Sequence, residues 1–324
     1  MPHGALEITA EEGLLGHFRA EYGAPEATRP VRVAITIDDR LPDGAVVDLH
    51  AGHKTVSWSV SLGDADADPL CAALALRGRP RWFGVSLVQG YIVEPLISLA
   101  TAIGGQVLLP AAAIAEEGGA LLMIGRSRSG KSSVSARAMA LGRQVLGDDQ
   151  VLVDPSGHIG PFPRRMRVYD DLKETSPMAF RLLPLRTRLG LRMRRFVRIA
   201  TRGYVAPSLA LPRSIFGGAW EATPMPIRRV VVVCRSATAE RLQMEPMELE
   251  EVRFQAMEIL GEQRSWLSQL RRDDWQTLLR VVAEREATML DAALRRSAAH
   301  RIIVPESWGA PMAVDALARA LDIN

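Results

Sequence analysis

The stretch Ala120-Leu-Leu-Met-Ile-Gly-Arg-Ser-Arg-Ser-Gly-Lys-Ser132 decides how this chain is read. Ala120–Ile124 is a short apolar run suited to a buried strand. Gly125–Ser132 spells G-x-x-x-x-G-K-S, and the Ala-rich segment that follows to Leu141 has Val134, Met139 and Leu141 at helical spacing. Strand, glycine turn and helix form the context that this phosphate-binding pattern requires. Gly125 and Gly130 let the backbone wrap tightly and turn its N–H groups inward. A helix starting near Lys131 aims further N–H groups and a partial positive charge at the same point. Lys131 supplies a full charge for β- and γ-phosphates, and Ser132 a hydroxyl for a magnesium ion. Ser127, Ser129 and Ser133 belong to the same expected nucleotide cradle.

Asp148-Asp149 follows Lys131 after an interval that holds one helix, one tight turn and one short strand, Gln144–Leu146. If that strand runs parallel beside the loop strand, its carboxyl end meets the loop at the sheet edge where open α/β sheets bind ligands. Two adjacent carboxylates there can divide labour. Asp148 can accept a proton from an attacking hydroxyl, and Asp149 can support the metal directly or through water. The plain alternative is a solvated turn, because aspartate favours turns anyway.

The chain has 324 residues, 48% hydrophobic and 24% charged, with a formal net charge of +3. That composition supplies a sizeable core, and the charge alone implies no polyanion partner. Cys71 and Cys234 stand far apart without a C-x-x-C neighbour, so zinc and redox motifs are excluded. Read as buried free thiols, they suit a reducing compartment. No apolar stretch reaches the ~20 residues needed to span a bilayer, and the first residues lack a secretory pattern. The expected location is cytoplasmic.

Residues 1–90 read as a β-rich accessory subdomain. A helix over Glu11–Ala20 and a Pro/Ala/Glu connector lead into strands at Val31–Ile37, Ala45–Leu49 and Thr55–Leu62. Pro69–Arg77 reads as a short helix and Trp82–Val88 as another strand. Residues 91–240 form the phosphate-loop core. It holds a helix over Glu94–Ile103, strands at Gln106–Leu109 and Ala111–Ala115, a hairpin turn at Glu116–Gly119, and the buried strand Arg229–Cys234. Residues 241–324 read as mainly helical, with apolar side chains recurring at three- and four-residue steps from Trp266 to Val282, then a strand at His300–Val304 and a helix at Ala313–Leu321.

The run GRSRSGKSSVSARAMALGRQVLGDDQVLVD, with the later PFPRRMRVY, resembles the core of the HPr kinase/phosphorylase family over about residues 106–170. The resemblance implies an α/β fold with a mixed-sheet kinase core. It implies ATP and Mg²⁺ as the nucleotide and metal, and a serine hydroxyl on a peptide or small protein as acceptor. Gly125–Ser132 would hold the triphosphate, Asp148 would be the general base, and Asp149 would support the metal or orient the substrate. Relatives carry a histidine in a pattern like L-H-A-S-A-V before the loop strand. Here the stretch is Leu109-Pro-Ala-Ala-Ala-Ile114, with Pro110 in the histidine's place. The downstream Glu-x-Arg-Gly signature of the bifunctional enzymes is also missing. The chain is therefore more similar to divergent members found with peptide-modification systems, including kinases of the C-terminal serine of lasso-peptide precursors.

Between Glu174 and Glu221 there is no acidic residue but nine arginines, from Arg181 to Arg213, with Leu182, Leu185, Leu189, Met193, Phe196 and Ala200 at helical spacing. This reads either as a solvated helix face or as a surface for an anionic partner, an acidic peptide first among them, with nucleic acid or anionic lipid weaker. Arg164, Arg165 and Arg167 are second candidates for substrate contact. Two other functions fit the same loop: a non-catalytic nucleotide-binding regulator, and an NTP-dependent nucleic-acid-binding protein. A homo-oligomer is compatible with all three.

Overall fold

A computed structural model describes residues 5–22, 31–200, 208–211, 213–216 and 223–323. The connector at 23–30 and, in the basic segment, Arg202 lie outside the described residues. The chain is a mixed α/β protein divided into two compact units. The first comprises residues 1–108 and 260–289, the second residues 109–259 and 290–324. Residues 241–324 are thus shared between the units.

The first unit holds a five-stranded mixed sheet in the order Ala5–Ala10, Val31–Asp38, Leu70–Gly78, Val56–Leu62, Leu49–His53. Its first three strands run parallel and the last two antiparallel. In Val56–Leu62 the buried residues Val56, Trp58, Val60 and Leu62 alternate with partly exposed serines, the half-buried pattern of the sequence. Three expected elements change. Leu70–Gly78 is the central strand, not a helix. Its Leu/Ala run has helical composition, but pairing on both edges overrides propensity. The Ala45–Leu49 strand begins only at Leu49 and extends to His53. Trp82–Val88, expected as a strand, lies in the helix Arg81–Val88, which runs through a π-helical turn at Gln89–Val93 into Glu94–Ile103. Cys71 faces outward on the central strand and is exposed, and Cys234 is half-buried, so neither is the buried thiol expected.

The continuous helix Arg81–Ile103 also corrects the count of apolar stretches. It is long and apolar enough to cross a membrane by length and composition, yet 72% of its most apolar window is buried within the protein. It also carries polar groups with internal partners. Gln89 donates to Glu94 at 2.9 Å and exchanges a 2.6 Å hydrogen bond with His17. Ser98 accepts from Arg264 at 2.6 Å. Arg264 in turn grips Glu286 through both guanidinium ends, with both residues buried. In the same unit, Trp58, Tyr91 and Trp266 form a ring cluster with centroids 5.2–6.0 Å apart.

The second unit is organised by the strand Gly119–Ile124, every residue of which is buried. It lies between Ala111–Glu116, antiparallel, and the long strand Met225–Ser236, parallel. Beyond the long strand lies Ala298–Pro305, also parallel, and beyond that Gln243–Pro246, antiparallel. Beyond Ala111–Glu116 lies the short strand Val145–Gly147, antiparallel to it. Val145–Gly147 therefore runs in the same direction as Gly119–Ile124, but one strand removed from it, not beside it as expected. The physical reason is the tight Glu116–Gly119 hairpin, which joins Ala111–Glu116 directly to the loop strand and so occupies the place beside it. The helices Lys131–Ala140 and Ala310–Ala320 pack on one face of this sheet, where Val134, Met139, Val314 and Leu317 meet Leu121, Met123, Val231 and Ile302 in one apolar core.

Candidate functional site

Directions in the sheet bring the carboxyl ends of Gly119–Ile124, Val145–Gly147, Met225–Ser236 and Ala298–Pro305 to one edge. Two turns leave that edge: the loop Gly125–Gly130 and the pair Asp148-Asp149. The sequence pattern placed both there, and the shared edge survives the intervening strand because two antiparallel steps restore the original direction.

The loop enters the helix Lys131–Ala140 through Gly130, whose φ of +102° is a left-handed conformation that side-chain-bearing residues avoid. Gly125 is required for a different reason. A Cβ there would lie 2.8 Å from the Val233 carbonyl oxygen and 2.9 Å from the Ser129 hydroxyl. Gly125→Ala is therefore expected to shift the loop off the neighbouring strand and to lower stability by about 1–3 kcal/mol, as overpacking does. Chemical denaturation measures this directly.

The N-cap residue is Gly130, which has no side chain to cap the N–H groups of the first turn. That donor set, at the positive end of a helix dipole, suits a phosphate. Lys131 bends back over the loop. Its ammonium donates to the carbonyl of Gly125, to the carbonyl of Arg126 at 3.1 Å and to the Ser129 hydroxyl at 3.3 Å. Burial pulls its pKa below the usual lysine value, against the charges of Asp149 and Asp148. Ser129 is buried, Ser132 and Ser133 are half-buried, and Ser127 is exposed at the loop tip. Ser132 donates to the Asp148 carbonyl at 3.4 Å, which ties the loop helix to the aspartate turn.

Asp148 is 3% exposed and accepts a 3.2 Å hydrogen bond from the backbone N–H of Arg167. Burial first, and then the Asp149 charge, push its carboxyl up to about 7, against the Arg167 N–H and the Arg164 and Arg167 guanidinium groups. Asp149 behaves in the opposite way. Burial raises it, but Arg164, Arg167 and Lys131 together hold it below the usual carboxylate value. The geometry supplies the cause: buried Arg164 contacts Asp149 at 2.7 Å, and Arg167 approaches the same oxygen at 3.9 Å. Two neighbouring carboxyls thus have pKa values driven apart, one suited to exchanging a proton near neutrality and the other held ionised. This split assigns acid–base roles in catalytic carboxylate pairs.

Of the three arginines expected at a substrate surface, Arg164 and Arg167 gather on Asp149, and half-buried Arg165 lies between them in the chain. Tyr169 was not anticipated. It follows Arg167 by two residues on the strand Met166–Tyr169, where both are half-buried while Met166 and Val168 are buried. Burial and then the Asp149 charge raise its phenol. Two-residue alternation from Arg167 is the sequence signal that identifies it. Pro110 precedes a strand whose Ala111 pairs with Ile124, so the proline stands at the loop's edge of the sheet.

Among the described residues no cluster of three or more His, Cys, Asp or Glu side chains forms a ready-made metal site. Ser132 and Asp149 are the groups at this edge that suit a hard cation, and Asp149 faces Arg164 instead. Such a pair fits a metal that arrives with phosphate oxygens better than a resident ion with an all-protein shell. Comparisons with family models and with curated proteins give no match.

Proposed function

We propose that this chain is an ATP-dependent phosphotransferase with an HPr kinase-like phosphate-loop core, and that it phosphorylates a serine hydroxyl on a peptide or small protein in the cytoplasm. The observation that carries the reading is the juxtaposition of an uncapped, glycine-framed helix start with a buried carboxyl whose pKa is about 7, the two tied by the Ser132–Asp148 hydrogen bond.

Each residue then has a role. The backbone N–H groups of Gly125–Ser133 and the Lys131 ammonium hold the triphosphate, and Lys131 exchanges its present carbonyl partners for phosphate oxygens. Mg²⁺ bound with the nucleotide supplies charge neutralisation at the transferring phosphate. Ser132, and Asp149 once released from Arg164, are the residues that would hold it. Asp148 takes the proton of the acceptor hydroxyl as its oxygen bonds to the γ-phosphorus and the bond to the departing ADP breaks, and Arg164 and Arg167 stand near enough to stabilise negative charge on the transferring phosphoryl group. A lasso-peptide precursor with a C-terminal serine is one acceptor of this class.

Incubation with ATP, Mg²⁺ and serine-containing peptides, followed by mass spectrometry, tests the proposal: one phosphate gained on a serine supports it, and intact peptides throughout oppose it. Lys131→Met is expected to weaken nucleotide binding by about 10- to 100-fold, the loss of a charge-assisted contact, as read by calorimetry. Pro110 at the loop's edge favours a second reading, a nucleotide-binding regulator that binds ATP and transfers nothing.

A further inference from the structure

The helix Leu185–Ala200 belongs to the second unit and takes no part in the site just described. Leu185, Leu189, Met193, Phe196 and Ile199 recur at steps of four, four, three and three residues and so share one face. That face is bare: the five side chains are 49–68% exposed, and Leu182 just upstream is 53% exposed. The rest of the helix is fastened down. Leu191 is buried, Arg198 pairs with Asp170 at 2.8 Å, and Arg195 pairs with Glu174. The helix is thus held with its apolar stripe outward. Arg186, Arg188 and Arg192 flank or interrupt the stripe, and no acidic residue occurs in the helix. Arg186 meets no carboxylate among the described residues, and Arg192 lies over the Phe180 ring at 5.9 Å.

We propose that this face docks on an anionic lipid surface. The stripe and its arginines need an occupant that takes large apolar side chains and guanidinium groups together. An anionic bilayer interface does so, because the apolar face enters the acyl boundary while arginines remain at the phosphates. A second copy of the chain pairing through the same face would set one row of arginines against another. Nucleic acid would pair with the arginines and leave the apolar stripe in water. An amphipathic acidic peptide needs a groove to lie in, and the exposed residues here form a single ridge. The helix lies on the membrane surface and does not cross it, since its arginine-rich face cannot enter the hydrocarbon core.

The test is co-sedimentation of the full chain with phosphatidylcholine vesicles, with and without phosphatidylglycerol, at low and high salt. The expected result is binding that requires phosphatidylglycerol, falls with salt, and drops about tenfold or more in Phe196→Glu and about tenfold in Arg186→Glu. Both positions are exposed, so unchanged circular-dichroism melting shows that each variant remains folded. Absence of wild-type binding overturns the proposal. So does binding that both variants retain, or equal binding to neutral vesicles. Capture of an acidic amphipathic peptide without vesicle binding overturns it in favour of a peptide dock.

Discussion

Asp148→Asn is expected to lower phosphoryl transfer by about 10²- to 10⁴-fold, the usual contribution of a positioned general base, while leaving ATP affinity largely intact. The amide is isosteric and its oxygen can still accept the Arg167 N–H, so the turn should survive. What disappears is the proposed proton acceptor. The wild-type rate should rise with pH through about 7, because burial and Asp149 place the Asp148 carboxyl there, and the variant should lack that limb. A stability change accompanies it, and its sign follows from linkage. The ordinary aspartate value is 3.8. Below it, Asp148 is protonated in both the folded and unfolded chain, and its contribution is fully present. From there up to about 7 only the folded chain keeps the proton, so this contribution to stability is lost as pH rises. The asparagine never ionises. Asp148→Asn should therefore melt at a higher temperature than wild type above pH 7, and the difference should shrink as pH falls. A residue that loses activity and gains stability on neutral substitution marks a functional site held under electrostatic strain.

Glu286→Ala is expected to cost about 3–5 kcal/mol, because it leaves the Arg264 guanidinium buried without its carboxylate. Arg264 and Glu286 are among the most buried charged residues described, and the remaining Ser98 hydroxyl satisfies one guanidinium end only. Joint replacement by Arg264→Met and Glu286→Leu should cost much less than the single change, because no charge is then left in an apolar setting. Denaturant unfolding followed by tryptophan fluorescence measures both, since Trp58 and Trp266 lie in the same unit. Equal stability of Glu286→Ala and wild type would show that water reaches Arg264 and that the ion pair is solvated.

Sequence reading reached the site further than it reached the fold around it. The loop, its flanking strand and helix, and the strand before Asp148 were legible because each signal is local: an apolar run, a glycine pair, an alanine-rich stretch, a turn. The position of Ala111–Glu116 between the loop strand and the aspartate strand was not, because pairing order depends on a hairpin that no residue in the motif reports. The gathering of Arg164 and Arg167 on Asp149 also needed the fold, since the arginines return to the turn on a separate strand. Around Leu70–Val88 local composition pointed the wrong way twice. Leu and Ala in a central strand resemble a helix, and Trp, Phe and Val in a helix resemble a strand, until neighbours on both sides decide. Cys71 shows the same limit at one residue, because a shift of one position on a strand turns a buried thiol outward.

The central claim is that the glycine loop and Asp148 act as one site. The most direct test measures transfer of the γ-phosphate of ATP to a serine peptide by wild type and Asp148→Asn, with ATP affinity measured calorimetrically on the same samples. A phosphopeptide is expected with wild type only, at closely similar ATP affinities. Equal transfer by both proteins, or ATP binding by both with no phosphopeptide from either, would contradict it.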